Sequence, residues 1–131
     1  MNTFKASITK IDGADSINLV RFRAEGEEFI MMSLELDGSL KVGCEVLLGI
    51  KATTLSLARE KNTMLSISNQ FPVRIKSIDN GALLSSVKLS FCDTVFESII
   101  TKNSAIKMGL KPEDEMIALV KASDLSIVEI V

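Results

Sequence analysis

The chain contains no histidine, no tryptophan and no tyrosine, and only two cysteines. Each shortage excludes something. Without histidine or a CxxC pair, the side chains that hold zinc, haem or an iron–sulfur cluster are missing. A serine or cysteine nucleophile would need lysine or a carboxylate as its base, and nothing places a nucleophile beside one. GxGxxG and P-loop patterns are absent, so no nucleotide site is expected. No catalytic constellation remains, and the expectation is a protein that is not an enzyme. Six phenylalanines are the only aromatics, a poor supply of platforms for stacking bases. Cys44 and Cys92 stand far apart and are expected as small core residues in a reducing compartment.

Charge is also unremarkable in sign. Residues 1–60 hold seven basic and nine acidic side chains, and residues 61–131 hold eight of each. Neither half offers a basic face, which argues against nucleic acid as a partner. No apolar run approaches the roughly 20 residues of a membrane span, and the N-terminus has no apolar signal-like segment, so a cytoplasmic protein without a membrane partner is expected. With 47% hydrophobic and 24% charged residues, the chain should fold.

What is present is a repeat. Residues 39–57, SLKVGCEVLLGIKATTLSL, align with residues 109–127, GLKPEDEMIALVKASDLSI, at an offset of seventy. The period is too long for a solenoid unit and points to two copies of one small domain, at 1–60 and 64–131. Each copy alone would be a marginal core of roughly 60–70 residues. The copies should therefore pack on each other, on a partner chain, or both.

The apolar pattern is short and often alternating, as in strands. Strands are expected at 3–11, 16–24, from Glu28 to Met32, at Glu45–Ile50 and at Leu55–Leu57. A short helix is expected from Ser33 to Leu40. The second copy repeats the order, with strands around Ile75–Asp79, at 82–92 and 95–101, at Glu115–Val120 and at Leu125–Ile130. Asn80-Gly81 reads as a turn. A short helix should start with Thr101 as N-cap and end at Gly109. Residues 59–63 are the only polar linker. Met64–Ser68 is an extra piece before the second copy. Five short strands and one short helix per copy give an all-β fold of two tandem OB-like Greek-key barrels.

The polar candidates are small donors. Thr101 and Ser104 lie at a predicted helix start, where free N–H groups attract anions. Lys121, Ala122 and Ser123 sit at a strand end, and Lys51, Ala52 and Thr53 repeat them. Ser66, Ser68 and Asn69 form a hydroxyl and amide cluster. A set with no carboxylate suits a compact tetrahedral oxyanion. For each there is a plainer reading: a helix cap, a solvated lysine, the exposed face of a strand. The repetition of Lys-Ala-Ser/Thr favours the functional one.

These segments carry a family resemblance. SISNQF (Ser66–Phe71), IKSIDNGA (Ile75–Ala82), IITKNSAIKMGL (Ile99–Leu110) and LVKASDLSI (Leu119–Ile127) resemble the Mop domain, a molybdate- and tungstate-binding unit of the TOBE superfamily. The resemblance covers 64–131 well and 2–58 more loosely, and the whole chain is similar to a stand-alone di-Mop protein. It implies OB-like barrels, a homo-oligomer with a trimer favoured, and molybdate or tungstate bound between subunits. It implies ligand roles for Ser66, Thr101, Ser104, Lys121, Ala122 and Ser123. Ser68 departs from the family, which commonly has arginine there. In the first copy Ser33 corresponds to Thr101 and Asn2 to Asn69, but Leu36 replaces Ser104 and Glu35 brings a negative charge. The implied function is storage, buffering or homeostasis of the oxyanion. A regulatory or interaction module without strong oxyanion binding is the alternative, and single-stranded nucleic-acid binding is a weaker third.

Overall fold

The computed structural model spans Met1–Val131. The first copy contributes β1 (Asn2–Ala14), β2 (Ile17–Ala24), β3 (Glu27–Ser33), β4 (Glu45–Ile50) and the short β5 (Ser56–Ala58). The second contributes β6 (Asn69–Asn80), β7 (Leu84–Phe91), β8 (Thr94–Thr101), α1 (Lys102–Met108), β9 (Glu115–Val120) and β10 (Leu125–Ile130). A single 3-10 turn precedes each closing strand, at Ala52–Thr54 and Ala122–Asp124. The chain forms the expected pair of OB-like barrels, each built on a curled five-stranded sheet.

Alternation sets the strands. Asn2, Phe4, Ala6 and Ile8 point inward along β1, and Asn69, Phe71, Val73 and Ile75 do so along β6. Both strands carry a register shift at matching places, Ile8/Lys10 and Ile75/Ser77, which lets each curl round its barrel. Asp15 and Ser16 both adopt positive φ, the two-residue hairpin geometry whose twist matches that of the strands it joins.

The sheets do not follow the copies. One sheet has the order β10-β4-β1-β2-β3 and the other β5-β9-β6-β7-β8. Each copy thus gives its closing strand to the other: Ser126 pairs with Gly49, and Ser56 with Leu119. Gly49 is required by this approach, because a Cβ there would lie 2.4 Å from Val128 Cγ2 and 2.7 Å from Met1 Sδ. A second exchange involves two buried asparagines. Asn69 accepts from the Ile30 N–H (2.8 Å) and donates to the Ile30 carbonyl (2.9 Å). Asn2 accepts from the Glu97 N–H (2.7 Å) and donates to the Glu97 carbonyl (2.8 Å). Each asparagine starts a strand of one copy and clamps the edge strand of the other. Ser98, also buried, donates to the Leu55 carbonyl at 2.5 Å.

The core is shared accordingly. One cluster of 24 buried residues draws on both copies. At its centre Phe4, Phe29, Phe71, Phe91 and Phe96 pack with ring centroids 5.0 to 6.2 Å apart. Such tilted and edge-on pairs contribute about 0.5–1.5 kcal/mol each beyond burial.

Three expectations need correction. The segment from Ser33 to Leu40 is not helical: Ser33 ends β3 and residues 34–40 are irregular. Asp37 accepts from both the N–H (2.9 Å) and the hydroxyl (2.7 Å) of Ser39, and Ser33 donates its hydroxyl to the Glu35 carbonyl. These local bonds compete with helical ones. Ser66 and Ser68 lie in a loop, outside any strand. Cys92 is exposed at a hairpin tip with φ 51°, whereas Cys44 is half-buried against the core.

Replacing Asn69 by alanine would leave the N–H and carbonyl of Ile30 unpaired. The expected loss is about 1–3 kcal/mol, read as a lower denaturant midpoint, and Asn2→Ala should behave alike. Unchanged midpoints in both would show that the clamps do not hold the copies together.

Candidate functional site

The repeated Lys-Ala-Ser/Thr triplets occupy matching geometry. Lys51 (φ −67°, ψ 138°) and Lys121 (φ −67°, ψ 149°) are extended residues that lead into the 3-10 turns. Within each turn one bond closes: the Thr54 N–H donates to the Lys51 carbonyl (3.0 Å), and the Asp124 N–H to the Lys121 carbonyl (2.9 Å). The N–H groups of Ala52 and Thr53, and of Ala122 and Ser123, have no partner within their own turns. Both lysines are exposed and neither takes part in an ion pair. An ammonium group, outward N–H groups and a hydroxyl on one turn can together donate to a small anion.

Strand exchange decides what each turn faces. The turn after β4 lies against β8 of the second copy, and the turn after β9 lies against β3 of the first. Ser123 therefore shares an open groove with Ser33, Glu35 and Asp37, floored by Leu36 and Leu125. Ser33 and Ser123, predicted as ligands, are brought together by the fold.

Thr101 and Ser104 are engaged with each other. Thr101 Oγ1 accepts from the Ser104 N–H (3.1 Å) and donates to Ser104 Oγ (2.9 Å). Thr101 is the N-cap of α1, as expected, and Gly109 ends the helix at φ 62°. Asn69 is fully buried, with its side-chain oxygen and nitrogen both committed to Ile30. Ser68 lines a small cavity beside Asn69 and the Arg21–Glu28 ion pair (2.5 Å). Ser66 stays exposed in its loop. Neither Ser66 nor Ser68 lines the groove of Ser123.

Two structural residues escaped the sequence reading. Arg59, assigned to a linker, donates to Asp114 Oδ2 (2.9 Å) and to the carbonyls of Met108 (2.6 Å) and Gly109 (3.2 Å). It ties the end of α1 to the start of β9. Ser98 has no polar counterpart in the first copy, where Met31 stands. No local pattern marks either residue, since their partners are 40 to 60 residues away; Asn2 and Asn69 did leave a signal, their shared place in the repeat.

The Arg59 guanidinium and the Lys111 N–H hold the Asp114 carboxyl below its ordinary value. The folded state thus favours the ionised form, and that stabilisation is complete above the ordinary carboxylate range and fades as pH falls through the depressed value. In thermal melts, Asp114→Asn should lower the melting temperature most near neutrality. The gap to wild type should close as pH drops below about 4. A gap independent of pH would rule out this role for the ion pair.

The family model described as TOBE domain matches residues 65–127. The molybdenum import ATP-binding proteins ModC of Brucella abortus (strain 2308) and Brucella suis biovar 1 (strain 1330) are each 33% identical over 87 residues, covering 66% of this chain. The matched region is 24% of those curated relatives' own length. A crystal structure of the cytoplasmic molybdate-binding protein ModG, with molybdate bound, superimposes with a TM-score of 0.91 at 26% identity. It covers 99% of this chain, and 96% of ModG is covered in return.

Proposed function

We propose that this chain, whose residues 65–127 match the TOBE-domain model and whose fold matches ModG, is a binding protein for molybdate or tungstate. The observation that carries the reading is the pair of equivalent turns, each with a lysine outside any ion pair, two N–H groups without a partner in the turn, and a hydroxyl residue. Likeness to ModG over 99% of the chain supports it. Binding uses charge-assisted hydrogen bonds and no covalent chemistry, so the protein is read as a non-enzyme. The two sequence copies, 1–60 and 64–131, are the domains. Ser33, Lys51, Ala52, Thr53, Lys121, Ala122 and Ser123 are the ligands best placed for the anion. Thr101, Ser104, Ser66 and Ser68 are secondary, available where a neighbouring subunit completes a pocket.

One subunit offers too few donors to enclose an oxyanion, which supports a homo-oligomer, with a trimer as the working assembly. The role is cytoplasmic storage or buffering of the oxyanion. No helix is long and apolar enough to cross a membrane. A second reading has one observation in its favour: the matching ModC proteins are import ATP-binding proteins in which the matched region is only a part. On that reading the chain is an interaction module for a transporter or regulator, and the anion matters less.

Isothermal titration with molybdate, tungstate, sulfate and phosphate separates the two. Molybdate and tungstate should release or absorb heat and raise the melting temperature, by about 2.7 kcal/mol of stabilisation at a hundredfold excess over Kd. Silence with both metal oxyanions would overturn the first reading in favour of the second.

A further inference from the structure

We propose that the two lysine turns are unequal and that the Lys51 turn, not the Lys121 turn, is the stronger anion-binding element. The inference rests on the oxyanion reading above and specifies which part of the chain carries it. Sequence order implies the opposite, since Lys121 belongs to the copy with the better-conforming segments. Strand exchange reverses the neighbourhoods.

The Lys121 turn contains its own carboxylate. The sequence there is Lys121-Ala122-Ser123-Asp124, whereas the first copy has Lys51-Ala52-Thr53-Thr54. Thr54 is neutral and spends its hydroxyl on the Lys51 carbonyl at 3.0 Å. Asp124 is exposed and in no ion pair. Ser123 also shares its groove with Glu35 and Asp37. The two bonds from Ser39 to the Asp37 carboxylate favour its ionised form. An anion at the Lys121 turn therefore has Asp124 on the turn itself and Glu35, Asp37 and Glu129 along the groove of Ser123.

The Lys51 turn lies against β8, and the segment that follows β8 is α1. Its sequence, KNSAIKM, holds two lysines and no carboxylate, while the matching segment 34–40, LELDGSL, holds two carboxylates and no lysine. Both lysines of α1 are outside any ion pair. A dianion feels each of these exposed charges weakly, by up to about fivefold in affinity per charge and less at high salt. The one carboxylate of β8, Glu97, is already paired with Lys88 (3.3 Å), so the carboxylates outside ion pairs gather on the side of the Lys121 turn and the lysines of α1 follow the strand that backs the Lys51 turn.

The test is tungstate titration of the intact protein and of surface variants that melt like wild type. Lys51→Ala should cost more than tenfold in the tightest binding phase, and Lys121→Ala less than about threefold. The pair Glu35→Gln with Asp124→Thr should strengthen the weaker phase several-fold, and added salt should shrink that gain. Equal losses from the two lysine variants, or a weaker phase unmoved by the double variant, would overturn the inequality alone. Absence of any tungstate binding by the wild type would overturn the oxyanion reading, and the inequality with it.

Discussion

The constraint on which everything else hangs is the reciprocal exchange of closing strands. Each copy is too small to close a core alone. Giving β5 to one sheet and β10 to the other covers the free side of β9 and of β4. It also threads the chain twice across the middle. The asparagine clamps follow from the same geometry, because crossing strands bring the first residue of β1 beside β8, and of β6 beside β3. The clamps satisfy edge-strand groups at Ile30 and Glu97 that no further strand covers. The phenylalanine cluster then has no boundary between copies to respect.

Much of this was legible in the residues, though not its wiring. Alternating apolar positions gave nearly every strand, and Thr101 with Gly109 bracketed the one α-helix. The repeat announced two equivalent barrels. Partnership between strands was invisible for a physical reason: β4 and β9 differ in residues but bury the same positions, so β5 and β10 could pair within or across copies with similar local patterns. Ser33 to Leu40 looked helical because its leucines are suitably spaced; the Asp37–Ser39 bonds, which dominate there, depend on atoms and not on periodicity. Of the candidate ligands, the two lysine triplets that the repeat marked stand on matching turns. Asn69 was singled out for its position, which the fold uses for support.

The copies are most alike where they share strands and least alike where they meet solvent. α1 in one copy corresponds to an irregular acidic loop in the other, and the difference spreads outward. Arg59 follows β5 and grips the end of α1, while Glu129, its counterpart in the repeat, continues β10, which has no helix to hold. One closing strand is consequently three residues long and the other six. A duplicated scaffold can keep one shape and still present two electrostatic surfaces.

The strand exchange also sets a schedule. β10 is synthesised after β1 to β9, yet it completes the sheet that begins with β1. Through most of translation the first barrel waits with β4 exposed along one side, and its core lacks the second copy's phenylalanines. Because the closing contacts join residues 75 or more positions apart, loop closure must precede the reward for making them. The barrel that starts first therefore finishes last, and the chain becomes a folded molecule in one late step instead of two early ones.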